Sequence, residues 1–261
     1  MGGAGFPAHV KLTPPPGKAV DSLIINGAEC EPALSADHRL MLEQAEGILH
    51  GVAYLRRALE RDGKLPMTYI AVEDNKTDAV EVLRRARLGL GTECEIVPLP
   101  VQYPQGAERQ LIYALLGRKV PAQSQRGLPA DVGVVVQNVA TAYAVHEAID
   151  RGTPLIQRVM TIAGDAVGKP ANMQARVGTM ISELLEARDV SPDAARIILG
   201  GPMMGIAQYS ADLPVTKTTS GILLEREKVT GSFGPCIRCG RCVEVCPMQL
   251  VPSRLSTLSE A

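Results

Sequence analysis

Short β-branched runs alternate with helical spacing along the first 150 residues, and few folds accept that rhythm. Val20-Asp21-Ser22-Leu23-Ile24-Ile25, Thr68-Tyr69-Ile70-Ala71-Val72 and Val132-Gly133-Val134-Val135-Val136 read as strands. Between them Leu40, Leu42, Ile48, Val52 and Leu55 recur at helical spacing, as do Val80, Val82 and Leu83, then Leu111, Ile112, Leu115 and Leu116. The alanine-rich run from Val139 to Ile149 suits one more helix. The pattern predicts an α/β domain with a largely parallel sheet over residues 1–153. With no Trp and two Phe in 261 residues, its core must be aliphatic.

Around Gly152-Thr153-Pro154 the rhythm changes. Two strand-like runs, Arg158 to Ala163 and Gln174 to Val177, precede a helix from Ile181 to Ala187 and a strand from Ala195 to Leu199. This ββαβ order predicts a small α+β domain over residues 154–210. Residues 211–261 then form a linker and a cysteine-bearing segment.

Cys236, Cys239, Cys242 and Cys246-Pro247 form the C-x2-C-x2-C-x3-C-P run of bacterial ferredoxins. Thiolates at that spacing can wrap a four-iron, four-sulfide (4Fe-4S) cluster, and Gly240 permits close approach of the backbone. A structural zinc knuckle would use two C-x2-C pairs with a longer spacer or would recruit His, and no His follows His146. In two-cluster modules the fourth cysteine ligates the other cluster, so Cys246 calls for a second run beyond these residues. The expectation is therefore half of a ferredoxin-like module, from a longer parent chain, with an incomplete ligand set. Crowded cysteines of this kind point to metal more than to disulfides.

Two loops carry the remaining polar signals. Gly2-Gly3-Ala4-Gly5-Phe6-Pro7-Ala8-His9-Val10-Lys11 can bring backbone N–H groups to a phosphate, with Lys11 as counter-charge. The same stretch also reads as an ordinary glycine-rich terminus, because no strand precedes it. Asn26-Gly27-Ala28-Glu29-Cys30-Glu31-Pro32 follows the first strand, where ligands of open α/β sheets sit. It is either a ligand loop with two carboxylates and an amide or a polar turn before a helix. Cys30, between two acids, should have a raised thiol pKa and is no nucleophile.

With 27 basic and 28 acidic residues the net charge of -1 favours neither nucleic acid nor an anionic membrane. No apolar run approaches the roughly 20 residues of a membrane span, and the start lacks the pattern of a signal peptide. A soluble, cytoplasmic chain is expected.

Together the glycine loop, residues 26–32, Tyr103-Pro104-Gln105-Gly106-Ala107-Glu108, Gln137-Asn138-Val139-Ala140-Thr141 and the cysteine run resemble a known family. The chain resembles the C subunit of the Rnf ion-translocating electron transport complex, a relative of the flavin-bearing NADH dehydrogenase subunit of respiratory complex I. Ile70-Ala71-Val72-Glu73-Asp74-Asn75-Lys76 and residues 200–205 look like the Rnf subunit in particular. The resemblance implies FMN, NAD(H) and 4Fe-4S clusters as cofactors. It places Gly3, Gly5, Lys11, Asn26, Glu29, Glu108, Asn138 and Thr141 at the flavin, with Asn138 and Thr141 at the end of the last strand. Glu31 falls at the nucleotide, and Cys236, Cys239, Cys242 and Cys246 hold iron. Ala107 departs from the complex I pattern, which is acidic there.

The resemblance also implies a β-grasp soluble-ligand-binding domain over residues 154–210, and a chain truncated at both ends. The function it implies is electron transfer between NAD(H), FMN and iron-sulfur clusters, within the ferredoxin:NAD+ oxidoreductase activity of the whole complex. No side chain need act as general acid or nucleophile. Partners would be the other subunits of a membrane-bound complex, and ferredoxin through them, on the cytoplasmic face of the inner membrane. No nucleic acid and no membrane span of its own are expected. The alternatives are a cobalamin reductase of the microcompartment type, and a flavin-free iron-sulfur relay or scaffold.

Overall fold

The computed structural model describes residues 5–122, 127–226, 234–246 and 248–259. The chain divides into two compact units, Met1–Glu227 and Lys228–Ala261.

The first unit begins with a single helical turn, α1 (Ala8–Lys11), then β1 (Ser22–Gly27), α2 (Ala36–Glu43) and α3 (Ala45–Ala58). β2 (Met67–Glu73), α4 (Thr77–Leu90), β3 (Glu95–Leu99), α5 (Glu108–Leu116), β4 (Val134–Asn138) and α6 (Val139–Asp150) follow. The four strands form one parallel sheet in the order β3-β2-β1-β4. Ile25 of β1 lies between Ile70 of β2 and Gln137 of β4. The chain thus builds outward from β1 to β3 and then returns to the opposite side of β1. That reversal makes a topological switch point at the carboxyl ends of β1 and β4, the place where such sheets bind ligands.

Helices cover both faces, which explains why Leu23, Ile24 and Ile25 are all fully buried rather than alternating. Leu23, Ile25 and Val135 face a core built with Met41, Ile48, Leu49, Val52 and Leu83. Ile24, Val134 and Val136 face the other side, against Leu111 and Ile112 of α5. The single helical pattern expected over residues 40–55 is two helices, broken at Gln44, whose φ of -129° leaves the helical range. β3 carries Pro98, which the sheet tolerates because β3 is an edge strand.

A second sheet follows: β5 (Gln157–Ala163), β6 (Ala171–Arg176), α7 (Ile181–Leu185), β7 (Ala194–Leu199), β8 (Ile206–Gln208) and β9 (Gly221–Arg226). Its order is β6-β5-β9-β7-β8, with β5 and β9 parallel at the centre. Ile222 and Leu224 of β9 join Met160, Ile162 and Ile181 in the core of this sheet. The second sheet therefore runs past residue 210, where the ββαβ pattern of the sequence ends. β9 is needed because without it β5 and β7 have no common neighbour.

In the second unit the chain forms α8 (Arg241–Glu244) and α9 (Pro252–Ser259). Ile237, Val245, Leu255 and Leu258 are exposed there. Among the described residues no helix is long and apolar enough to cross a membrane.

Candidate functional site

Lys11 lies at the end of α1, and its Nζ donates to Glu108 Oε1 at 2.6 Å and to the carbonyl oxygen of Val136 at 3.0 Å. Glu108 opens α5, so the ion pair ties the N-terminal loop to α5 while the bond to Val136 ties it to β4. Asn26, near the end of β1, donates through Nδ2 to the Gly106 carbonyl at 2.8 Å and accepts from the Ala28 N–H at 3.0 Å. Asn138 caps α6 by accepting from the Ala140 N–H at 2.9 Å. Its Nδ2 donates to Asp37 Oδ2 at 2.7 Å and reaches the Asn26 carbonyl at 3.5 Å. Glu29 accepts from the Asp37 and His38 N–H groups at 3.0 and 3.1 Å, at the start of α2. Two groups of contacts therefore lie at the ends of β1 and β4: Lys11 with Glu108 and the Val136 carbonyl, and Asn26, Asn138, Asp37 and Glu29 with one another, the Asn26–Gly106 bond ending two residues before Glu108.

Electrostatically the floor of this set is crowded. Desolvation pushes the Glu29 carboxyl up to about 7, and the charge of Asp37 adds to that rise. Asp37 is also raised by burial, against the opposing effects of Asn138, Arg158 and Lys76. Lys76, itself buried, pairs with Glu73 and reaches the Glu29 carbonyl at 3.4 Å. Burial raises the Cys30 thiol, and the charges of Glu73 and then Glu31 add to it. The direction matches the sequence reading, but desolvation is the leading cause.

Other expected positions fall as follows. Gly5 has φ +74°, and a Cβ there would overlap Thr218, in the turn before β9. Gly3 lies outside the described residues. Thr141 is buried within α6 and not at a strand end. Glu31 turns toward the second sheet, where its Oε2 accepts from the Met203 N–H at 3.0 Å. Cys236, Cys239, Cys242 and Cys246 lie in the second unit, with Pro247 outside the described residues. Arg238 and Gly240 turn the run with φ +57° and +78°. Among the described residues no three His, Cys, Asp or Glu side chains are gathered for a metal ion.

Sequence reasoning missed Asp37, Arg158, Thr161, Asn172 and Met203. Ser35 N–H donates to Thr161 Oγ1 at 3.0 Å, and Asn172 Nδ2 donates to Ser35 Oγ at 2.9 Å. The second sheet therefore grips the stretch between Glu31 and α2. Asp37 alone left a local trace, as an acid in the first turn of a helix. Two grooves behind α2 and α6 share Leu40, Tyr143, Val159 and Gln174, and neither is lined by a residue expected at the site.

The family model described as the Nuo51 FMN-binding domain matches residues 1–147. The C subunit of the proton-translocating ferredoxin:NAD(+) oxidoreductase complex of Clostridium ljungdahlii is 48% identical, over 100% of this chain and 56% of its own length. The Na(+)-translocating counterpart from Acetobacterium woodii is 45% identical, over 100% of this chain and 58% of its own. The C subunit of the ion-translocating oxidoreductase complex of Rhodobacter capsulatus is 43% identical, over 98% and 49%. The chain spans about half the length of these curated relatives. A chain from the crystal structure of an NAD+-reducing NiFe-hydrogenase in the H2-reduced state superposes with a TM-score of 0.69 at 20% identity. That alignment covers 85% of this chain and 43% of the hydrogenase chain, and shows a shared fold.

Proposed function

The chain belongs to the Nuo51 FMN-binding domain family and within it to the C-subunit branch of the ion-translocating oxidoreductases, and from that premise we propose that it transfers electrons between NAD(H), FMN and iron-sulfur clusters. The observation that carries this reading is that the Lys11–Glu108 pair, held on the Val136 carbonyl, and the linked Asn26, Asn138, Asp37 and Glu29 both lie at the switch between β1 and β4. The residues suit a flavin mononucleotide. Lys11 offers an ammonium that a phosphate or a flavin carbonyl can share with Glu108. Asn26 and Asn138 offer amides. The Gln137 Nε2, in β4 beside this site, is buried with no hydrogen-bond partner among the described residues, a donor still to be satisfied.

Bound FMN supplies the conversion between the two-electron chemistry of a nicotinamide and the one-electron chemistry of a cluster. The chain's residues bind and orient. Gly5 and Lys11 would hold the flavin from the N-terminal loop, Glu29 and Asn138 from the strand ends and Thr141 from within α6, and Gly3 is assigned to the flavin by the family resemblance alone. Glu31 faces the nucleotide. Cys236, Cys239, Cys242 and Cys246 would be the iron ligands, four thiols at ferredoxin spacing on a segment turned by Arg238 and Gly240, with Cys242 in α8. The second sheet has the strand order of a β-grasp domain, and we read it as a brace for the site loops. The partners would be the other subunits of a membrane-bound ferredoxin:NAD+ oxidoreductase complex, with this chain peripheral to the membrane.

The test is flavin content and NADH reduction of the full-length subunit. Purified protein should carry flavin whose absorbance NADH bleaches. Lys11→Met should lose most of the flavin. Glu31→Gln should keep the flavin and weaken NADH binding by about 1–3 kcal/mol if a buried ribose hydrogen bond is lost. Full flavin content in Lys11→Met would remove Lys11 from the site, and equal flavin loss in both variants would end the division between flavin and nucleotide sides.

A further inference from the structure

We propose that the turn between β7 and β8, residues 200–205, belongs to the nucleotide side of the site. It holds Glu31 by one carboxylate oxygen and leaves the other for the ribose hydroxyls of the dinucleotide. The inference rests on the reading of Glu31 as a nucleotide-side residue, and extends it to a segment of the second sheet that no motif connects with nucleotides.

The geometry begins with the turn itself. β7 and β8 pair antiparallel up to Leu199 and Ile206, and the Gly205 N–H closes the turn on the Gly201 carbonyl at 2.8 Å. A Cβ on Gly201 would overlap the Glu31 carboxylate, so the turn backbone lies directly against the acid. Met203 N–H then donates to Glu31 Oε2 at 3.0 Å, across 172 residues of sequence. Because that donor is a main-chain group, the latch depends on turn shape and not on the Met203 side chain.

The second oxygen decides what the latch is for. Glu31 Oε1 is enclosed and has no hydrogen-bond partner among the described residues. An enclosed carboxylate oxygen without a donor is costly, so it is better accounted for as an acceptor awaiting a ligand. The acceptor must meet hydroxyl or amide hydrogens, since a carboxylate repels phosphate. A ribose diol fits, as it does where acids at other α/β strand ends bind dinucleotides. Tyr103 borders the same place: burial first, and then the charges of Glu31 and Cys30, raise its phenol. Gly201 and the Met203 N–H are thus positioning groups that act through Glu31.

The experiment uses the full-length, flavin-loaded subunit and measures NAD+ binding by equilibrium dialysis, with kcat and KM for NADH oxidation by ferricyanide. Gly201→Ala should displace Glu31 and weaken NAD+ binding roughly tenfold, raise KM by a similar factor, and leave kcat, flavin content and Tm unchanged. Glu31→Gln should do the same, and the double variant should be no worse than either single one. Multiplying effects, or a fall in flavin content and Tm alongside affinity, would make Gly201 a purely structural residue and overturn the inference. If Gly201→Ala is silent while Glu31→Gln weakens binding, the inference alone fails. An unchanged affinity in Glu31→Gln removes the nucleotide-side reading and the inference with it. Hydrogen exchange at the Met203 amide tests the latch without altering the turn. It should be slow in the wild type, slower with NAD+, and fast in Glu31→Ala; insensitivity to NAD+ and to Glu31→Ala overturns it.

Discussion

Glu29 and Asp37 set the most consequential residue-scale balance in the molecule. Both carboxyls are enclosed at the floor of the site, and burial raises both. The Glu29 carboxyl, pushed up to about 7 from an ordinary 4.5, binds its proton more tightly in the folded chain than in the unfolded one. Its stabilising contribution is therefore complete below pH 4.5 and is lost as pH rises through about 7. Asp37 acts in the same direction. The flavin-free chain should lose stability over this window by up to about 1.4 kcal/mol per pH unit from Glu29. Glu29→Gln should flatten that slope, so that the variant gains on the wild type as pH rises from about 5 to 8. Urea unfolding midpoints across the window measure it. A variant offset by the same amount at every pH would show that Glu29 ionises normally in the fold. Asp37 itself could not be assigned a role from sequence, because its partners Asn138 and Arg158 lie 101 and 121 residues away along the chain. The cluster exists only once both sheets have folded around it.

Among the elements, α3 and α6 show how a close approach fixes the layer above the sheet. Gly51 of α3 faces the backbone of α6 so tightly that a Cβ would overlap the Ala142 carbonyl. Because that neighbour is main chain inside a helix, it cannot swing aside as a side chain would. Gly51→Ala should destabilise the chain by about 1–3 kcal/mol despite the better helix propensity of alanine. A thermal melt that shows Gly51→Ala at or above the wild-type Tm would mean that the helices separate without cost. The elements legible in the sequence are those whose burial is unambiguous. β1, β2 and β4 carry apolar residues on both faces, because helices cover both faces of the sheet, even at β4 on its edge. β3 was not legible because Glu95 and Pro98 interrupt its apolar pattern, which an edge strand permits. β9 was hidden behind the polar run Thr216-Lys217-Thr218-Thr219-Ser220, and its place between β5 and β7 follows from sheet closure, which no local pattern encodes. The site divides in the same way: Asn26, Glu29 and Asn138 stand at strand ends and could be read, while Thr161, Asn172 and Met203 reach it through the second sheet and could not.

At the scale of the whole molecule, the cysteine run belongs to a different compact unit from the residues proposed for the flavin, and its chemistry must be judged on its own terms. Its four thiols have ferredoxin spacing, yet among the described residues no three such side chains are gathered for metal. In a two-run module the first three cysteines of a run serve one cubane and the fourth serves the other. Cys236, Cys239 and Cys242 would then share a cluster that needs one ligand from a second run, and Cys246 would serve that run's cluster. Cys30 and Cys94 belong to the first unit, in the loop after β1 and beside the core of the parallel sheet, and are poor substitutes. Coordination also supplies much of the folding free energy of small metal modules. The prediction is that anaerobic iron and sulfide reconstitution of these 261 residues yields substoichiometric, labile cluster, whereas a polypeptide extended through a second C-x2-C-x2-C-x3-C-P run holds two. Cys246→Ala should leave the residual cluster of the short chain unchanged and should remove about one cluster from the extended one. Iron and acid-labile sulfide per chain, with the paramagnetic resonance of the reduced state, give the count. A stable, stoichiometric four-iron cluster in the short chain that depends on Cys246 would mean that all four thiols close on one cubane, and that the run is complete without a second.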